Sequence, residues 1–104
     1  MKEVQIDTDV LIIGGGLGGA WAAVGAKESG ADRVTLVDKS FVGKSGPSTF
    51  AAGVVAVWMP GDSVDEWIKE IVEYQEYMCD QRWLEPLLKE NWDRIQQLEQ
   101  WIGQ

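Results

Sequence analysis

The chain has 104 residues, which limits it to one domain or to part of one. With 45% hydrophobic and 25% charged residues, its composition is typical of a globular protein. Nine basic against seventeen acidic side chains give a net charge of −8, which argues against a nucleic-acid partner. One cysteine and no histidine rule out a Cys/His metal site, a catalytic Cys–His dyad and an intramolecular disulfide.

No apolar run approaches the roughly 18 residues that a membrane-spanning helix needs. The first nine residues, MKEVQIDTD, are polar and unlike a secretory signal. We therefore expect no direct membrane span and a cytoplasmic location, with peripheral attachment through a partner left open. The lone Cys79 is expected to be a small buried thiol within a helix.

Residues 4–38 have the pattern of a βαβ unit. The β-branched run from Val10 to Ile13 is typical of a strand buried on both faces of a parallel sheet. An alanine-rich helix is predicted from Leu17 to Ser29, with Gly30 as its left-handed stop. The run RVTLVD, residues 33–38, predicts the second strand, reached by a right-handed crossover.

Five glycines occupy six positions directly after the first strand: Gly14, Gly15, Gly16, Gly18 and Gly19. Three of them fit the G-x-G-x-x-G fingerprint of dinucleotide-binding proteins. The first, Gly14, permits the tight turn, Gly16 lets a pyrophosphate approach the backbone, and Gly19 lets the helix lie close to the sheet. N–H groups at the start of the helix, from Leu17 onward, then meet the phosphate charge. The alternative is a tight turn without a ligand.

Asp38 ends the second strand, 19 residues after Gly19, where the fingerprint expects an acid at a spacing of about 20. Its carboxylate is placed to accept hydrogen bonds from the hydroxyls of a ribose. The next residue, Lys39, is expected to face solvent or a phosphate. The alternative for Asp38 is an acid that only caps the end of the strand. These residues predict a dinucleotide site and leave the choice between flavin and nicotinamide open.

The remainder of the chain predicts a loop and two helices. Residues 39–59 are rich in Gly, Ser, Ala and Val, which indicates a functional loop followed by a short helix or extended segment. The S-x-x-E pattern at 63–66 predicts a helix start, and the apolar stripe behind it continues to Cys79. The final helix is expected to begin near Glu85, because Pro86 then falls in its first turn.

Three stretches, DVLIIGGGLGGAWAA, VTLVDKS and GKSGPSTFAAG, together resemble the fumarate reductase and succinate dehydrogenase flavoprotein family. That family also includes L-aspartate oxidase and the adenylylsulfate reductase flavoprotein subunit. The helices that follow, ending in a Trp-x-Gly sequence, are similar too but less specific. The resemblance covers most of the chain and implies FAD as the cofactor.

The resemblance also implies where FAD is bound. Its pyrophosphate would lie over the glycine turn, residues 14–19, and its adenosine ribose would lie on Asp38. The hydroxyls of Ser45, Ser48 and Thr49 would lie near the phosphates or the ribityl chain. The small residues 51–53 would run near the flavin ring. The predicted cofactor-binding residues are Gly14, Gly15, Gly16, Leu17, Gly18, Gly19, Asp38, Lys39, Ser40, Ser45, Ser48, Thr49, Ala51, Ala52 and Gly53.

Two departures from the family pattern bear on this expectation. Many relatives have Glu at the position of Asp38, although either carboxylate can bind a ribose. Membrane-bound relatives attach FAD through a histidine in the segment that corresponds to GKSGPSTFAAG, and this chain has no histidine. Any FAD is therefore expected to be held without a covalent bond. No catalytic residue is identified, because those of the family are expected beyond Gln104.

The sequence thus predicts an incomplete α/β domain. Residues 1–104 would form the N-terminal portion of an FAD-binding domain: a Rossmann-like βαβ FAD-binding unit (4–38), a Gly/Ser/Ala-rich flavin loop (39–59) and a helical segment (62–103). With only two predicted strands, its open sheet edge predicts aggregation or the need for a partner. That partner would be another protein chain or a missing C-terminal part.

The implied function is redox transfer between flavin and a small-molecule substrate within a larger protein or complex. The chain alone is not expected to be catalytically competent. Two alternatives stay open. One is an NAD(P)-binding oxidoreductase, which the aspartate favours. The other is a non-catalytic nucleotide-binding module or a subunit completed by other chains.

Overall fold

The computed structural model describes residues 1–44 and 46–103, and the chain divides into two compact units, Met1–Val54 and Val55–Gln104. The first unit contains a strand, a helix and a second strand, followed by a short 3₁₀ turn. The second unit contains two helices. In chain order the elements are β1 (Val10–Ile13), α1 (Leu17–Glu28), β2 (Val34–Val37), the 3₁₀ turn (Pro47–Phe50), α2 (Val64–Tyr74) and α3 (Gln81–Ile102).

The βαβ pattern predicted for the first unit is present. β1 and β2 pair in parallel, with Val10 opposite Val34 and Ile13 opposite Val37, and α1 connects them. The helix ends as its glycine predicts, since Gly30 adopts a left-handed φ of +96° and Ala31 N–H donates to the Ala26 carbonyl.

The amino ends of both strands are held together by Asp9 and Arg33. The Asp9 carboxylate accepts a 2.8 Å hydrogen bond from Arg33 N–H, and Asp9 N–H donates to the Arg33 carbonyl at 2.9 Å. With this register, the carboxyl ends of β1 and β2 meet at one edge of the sheet. The glycine turn and Asp38 both follow at that edge.

The expectation that β1 is buried on both faces is wrong for this structure. Ile12 lies on the face toward α1, because its Cγ2 is 3.6 Å from a Cβ built on Gly19 of that helix. Alternate residues point to the other face, and Leu11 is 55% exposed and Ile13 83% exposed. The reason is that one helix covers only one face of a two-stranded sheet.

Among its described residues, the predicted loop between β2 and α2 contains one short regular element, the 3₁₀ turn. Ala52 and Gly53 follow it with left-handed φ values of +52° and +74°. Residues 54–59 form neither a helix nor a strand. The short helix offered as an alternative for FAAGVVAVW, residues 50–58, is therefore not formed, because the 3₁₀ turn ends at Phe50.

α2 begins at the predicted capping residue, and α2 and α3 pack together. Ser63 Oγ accepts a 3.3 Å hydrogen bond from Glu66 N–H at the start of α2. Each helix contributes one buried apolar side chain, Val72 from α2 and Leu88 from α3, both 5% exposed.

The segment before α2 is held by Asp62. The Asp62 carboxylate accepts hydrogen bonds from the Trp67 indole N–H at 3.2 Å and from Met59 N–H at 3.3 Å. Its main-chain carbonyl accepts a third from the Trp58 indole N–H at 3.0 Å. One residue therefore fixes two tryptophan side chains at the start of α2.

The prediction that Cys79 lies in a helix is wrong. α2 ends at Tyr74 because Glu76 and Tyr77 both turn left-handed, with φ of +51° and +64°, and Tyr77 N–H donates to the Val72 carbonyl at 2.9 Å. Cys79 is half-buried in the turn that follows.

The predicted start of α3 near Glu85 is also wrong. Asp80 caps the helix by accepting from Arg82 N–H at 3.1 Å, and α3 runs from Gln81 with Pro86 inside it. Proline removes the hydrogen bond to the carbonyl four residues earlier, here that of Arg82, and its ring crowds the same carbonyl. The helix nevertheless continues through Pro86. The Arg82 guanidinium, 2.8 Å from the Asp80 carboxylate, lowers the pKa of that carboxyl.

Candidate nucleotide-binding site

Two glycines of the fingerprint are required by the fold itself. Gly14 has φ of +113°, which favours glycine, and its N–H donates to the Val37 carbonyl at 2.8 Å before the chain turns away. A Cβ built on Gly19 would overlap the carbonyl oxygen of Gly14 and lie 2.9 Å from its carbonyl carbon. Gly14 therefore permits the left-handed turn out of β1, and the missing side chain of Gly19 lets the start of α1 pack directly on the end of β1.

The fold itself does not require glycine at position 16. Its backbone is extended, with φ of −79° and ψ of −168°, a conformation open to any residue. Within the described residues, no atom lies within 4 Å of a Cβ built on Gly16, and the same holds for Gly18. The main chain at Gly16 is thus approachable from outside, and a side chain there would fill the approach.

The start of α1 differs from the starts of the other two helices. The Ser63 side chain caps α2 and the Asp80 side chain caps α3. For α1, within the described part of the chain, Gly16 provides no side-chain cap and no acidic residue stands in the first turn. The N–H groups at this end carry partial positive charge, so an external anion is the group that suits them.

A cleft of about 240 Å³ opens beside this helix start. It brings predicted residues from two segments together, Gly16 and Leu17 from the glycine turn and Ser48 and Thr49 from the 3₁₀ turn. Among the residues that the structure describes, its lining is Gly16, Leu17, Ala20, Gly43, Ser48 and Thr49. Two hydroxyl-bearing residues and the start of α1 therefore line the same cleft.

Two residues of the cleft, Ala20 and Gly43, are absent from the sequence prediction. Ala20 follows Gly16 by one helical turn, so the helical period alone could have placed it there. Gly43 has φ of +74°, and a glycine in the loop after the ribose acid was the available signal for a sharp turn toward the cleft.

Asp38 lies at the carboxyl end of β2 with both carboxylate oxygens hydrogen-bonded to main-chain N–H groups. Oδ2 accepts from Gly15 N–H at 2.5 Å, and Oδ1 accepts from Ser40 N–H at 2.7 Å. The structure thus brings together three predicted cofactor-binding residues, Gly15, Asp38 and Ser40, through hydrogen bonds to one another. A carboxylate offers roughly four acceptor sites, so these bonds are compatible with further bonds from a ribose.

A second cavity, of about 300 Å³, lies where both strands end. Asp38 and the exposed Lys39 line it together with Gly14 and the last residues of the two strands, Ile13 and Val37. This cavity adjoins the glycine turn through Gly14. The fingerprint predicts that the nucleoside of a dinucleotide binds at this end of the two strands.

The remaining predicted residues are not brought to either cavity. Ala51, Ala52 and Gly53 form an exposed turn after the 3₁₀ element and line neither of the two. The predicted contact of Ser45 lies outside the described residues. Gly18 stands in the first turn of α1, next to the cleft-lining Leu17.

Comparison with known proteins identifies the family of this chain. A family model described as an FAD binding domain matches residues 9–104, so the chain belongs to that family of flavin-nucleotide-binding domains. More particularly, it is 28% identical over 97 residues to the fumarate reductase flavoprotein subunit of Haemophilus influenzae. It is 31% identical over 94 residues to the fumarate reductase flavoprotein subunit of Mycobacterium tuberculosis strain H37Rv. The resemblance stated from the sequence is confirmed.

These alignments cover 92% and 89% of the chain but only 16% of either relative. No solved structure is significantly similar to the chain. None of the helices in the described ranges combines the length and apolar character needed to cross a bilayer. Residues 1–44 and 46–103 contain no group of three or more His, Cys, Asp or Glu side chains suited to a metal ion.

Proposed function

We propose that this chain binds FAD non-covalently and forms the part of a fumarate reductase-type flavoprotein that holds the cofactor's nucleotide. The observation that carries the proposal is the start of α1. It has no side-chain cap within the described chain, and at Gly16 its backbone lies open where the fold itself does not demand glycine. A pyrophosphate would supply the missing anion, and family membership makes FAD its source.

The cofactor-binding roles follow from position. N–H groups from Gly16 to Gly19 would meet the pyrophosphate. Ser48 and Thr49 are residues of the same cleft, and their hydroxyls would donate to the pyrophosphate oxygens. Asp38 would accept from ribose hydroxyls, with Lys39 and Ser40 beside it. Ser45 and residues 51–53 keep their proposed roles near the ribityl chain and the flavin ring.

We further propose that the whole protein is an oxidoreductase acting on a small substrate. When bound, FAD supplies the hydride and electron transfer, and this chain's residues bind and orient it. The relatives named for fumarate reduction support this class, but the chain spans 16% of their length, and the site residues proposed above all serve the cofactor. The absence of histidine from the sequence excludes a histidyl–flavin bond within this chain.

The test is equilibrium dialysis of the chain against FAD, with NAD⁺ and FMN as comparison ligands. Gly16→Val should remove FAD binding, because the side chain fills the approach to the backbone. Gly25→Val is the matched control. Gly25 lies in the same helix, two turns further on, and also has no described atom within 4 Å of a built Cβ. This control should bind FAD like the unchanged chain.

Three results would contradict the proposal: no binding of FAD to the unchanged chain, tighter binding of NAD⁺ than of FAD, or equal FAD affinity in both valine variants. Tighter NAD⁺ binding would favour the nicotinamide alternative, and absence of binding would favour a non-catalytic module. Circular dichroism of each variant separates a lost site from a lost fold.

A further inference from the structure

We propose that Asp38 is a positioning residue, which fixes the glycine turn and the segment 38–43 through main-chain hydrogen bonds before any nucleotide arrives. This goes beyond a contact with ribose, and its consequence for affinity rests on the proposed FAD site. The structural part of the inference is independent of that site. It starts from Gly15, whose predicted role was to bind the cofactor.

Among the described positions of the first unit, only Gly15 is buried. A buried N–H group needs a partner, and Gly15 N–H finds it in Asp38 Oδ2 at 2.5 Å. The Gly15 carbonyl is also engaged, since it accepts from Gly43 N–H at 2.9 Å. Both main-chain polar groups of Gly15 therefore bond to the chain that follows β2, and Gly15 serves the fold.

Segment 38–43 is shaped by the same carboxylate. Asp38 Oδ1 accepts from Ser40 N–H two residues on, which is the bond that closes an Asx-type turn. The chain then returns to the glycine turn. Val42 packs so closely that a Cβ on Gly15 would lie 3.0 Å from its Cγ2 and 3.1 Å from Asp38 Oδ2.

This arrangement connects Asp38 to the cleft without direct contact. Gly43 lines the cleft beside Gly16, and it is bonded to Gly15, the residue that Asp38 holds. Release of the carboxylate would free the Gly15 N–H and the turn at Ser40 together. One wall of the cleft would then lose its fixed position relative to the start of α1.

The length of the side chain matters for this role. Aspartate reaches the N–H two residues ahead and the Gly15 N–H with its two oxygens at once. Glutamate, which keeps the charge, adds one methylene and does not form an Asx turn. Asp38→Glu therefore separates positioning from simple charge, and Asp38→Asn tests it with a neutral side chain of the same length.

The first experiment measures amide hydrogen exchange in the ligand-free chain. Asp38→Ala should speed exchange at Gly15, Ser40 and Gly43 by about tenfold, the effect of losing one hydrogen bond to a charged group, and leave α1 amides unchanged. Asp38→Glu should speed the same three amides. Asp32→Ala, which removes an exposed acid of the same unit, is the control and should change none of them.

Unchanged exchange at Gly15 and Ser40 in both Asp38→Ala and Asp38→Glu would overturn the positioning role. If Asp38→Ala fails to fold, Asp38→Glu and Asp38→Asn carry the test. In that case, exchange at the three amides equal to that of the unchanged chain in both variants is the contradicting result.

The second experiment compares ADP with 2′,3′-dideoxy-ADP, which lacks the ribose hydroxyls. If Asp38 positions the turn, Asp38→Glu should weaken both ligands by a similar factor of about five or more, since losing part of a hydrogen-bond network acts on both. A loss confined to ADP would mean that Asp38 acts only on the ribose and would overturn the inference. Failure of the unchanged chain to bind ADP would count against the proposed function instead, while the exchange experiment would still decide the positioning role.

Discussion

Replacement of single glycines by alanine in the first unit should separate the needs of the fold from the needs of a ligand. Gly19→Ala places a Cβ onto the carbonyl oxygen of Gly14, where backbone has to move. Overpacking of this kind costs about 1–3 kcal/mol, and contact with backbone belongs at the upper end. The gain in helix propensity from Gly to Ala returns about 1 kcal/mol. We expect a net loss of about 1–2 kcal/mol in the free energy of unfolding.

Gly16→Ala should behave differently, because its Cβ meets no described atom within 4 Å and its φ of −79° suits alanine. Reduced freedom of the unfolded chain contributes about 0.4–1 kcal/mol. Alanine is a poorer N-cap than glycine by a similar amount, so stability should change little. FAD affinity, in contrast, should fall about tenfold or more, or about 1.4 kcal/mol, because the methyl group stands in the approach to the backbone.

The assay is urea unfolding followed by circular dichroism, combined with FAD titration of the same variants. Gly25→Ala provides the reference, since this mid-helix position has open space and should gain about 1 kcal/mol from helix propensity. The expected order of stability is Gly25→Ala, then the unchanged chain with Gly16→Ala, then Gly19→Ala. A stable Gly19→Ala variant, or a Gly16→Ala variant that loses stability and keeps FAD, would refute the reasoning.

Two further predictions concern the second unit. Asp62→Ala removes the carboxylate that holds the Trp67 indole and Met59 N–H, and because these bonds are exposed it should lower the free energy of unfolding by only about 1 kcal/mol. Tryptophan fluorescence during urea unfolding measures the free energy of unfolding. The loss in Asp62→Ala should exceed the loss in Glu70→Ala, which removes an exposed acid from α2. Equal losses in the two variants would contradict the role of Asp62. Arg82 lowers the pKa of Asp80 below its ordinary 3.8, so the cap's contribution to α3 is complete above that value and is lost as the pH falls through the lower folded-state pKa. An NMR titration should show Asp80 titrating below 3.8 and returning toward it in Arg82→Gln; identical titration in both chains would contradict the ion pair.

The local elements of this protein follow from short stretches of its sequence. Val10–Ile13 form the predicted strand, Gly30 ends α1, and Ser63 starts α2, since each depends on neighbours within a few residues. The family could also be recognised, because its glycine fingerprint and the segment after β2 are contiguous motifs. These features need only local backbone preferences and spacing.

Other features were decided by tertiary structure. Pro86 alone argued for a late start of α3, but the Asp80 cap outweighs it, and two left-handed residues end α2 before Cys79. The exposure of Ile13 depends on how many strands and helices cover the sheet, and no single segment contains that information.

For the candidate site, the sequence alone determined that glycines follow β1 and that an acid follows β2. Only tertiary structure decided that Gly19 serves close packing, that Gly16 lies open, and that Asp38 is bonded to Gly15. The physical reason is that each of these roles depends on which atoms from distant parts of the chain come within hydrogen-bond or van der Waals distance. A sequence motif specifies which residue stands at each position, but it does not specify which atoms from other segments surround that residue in the fold.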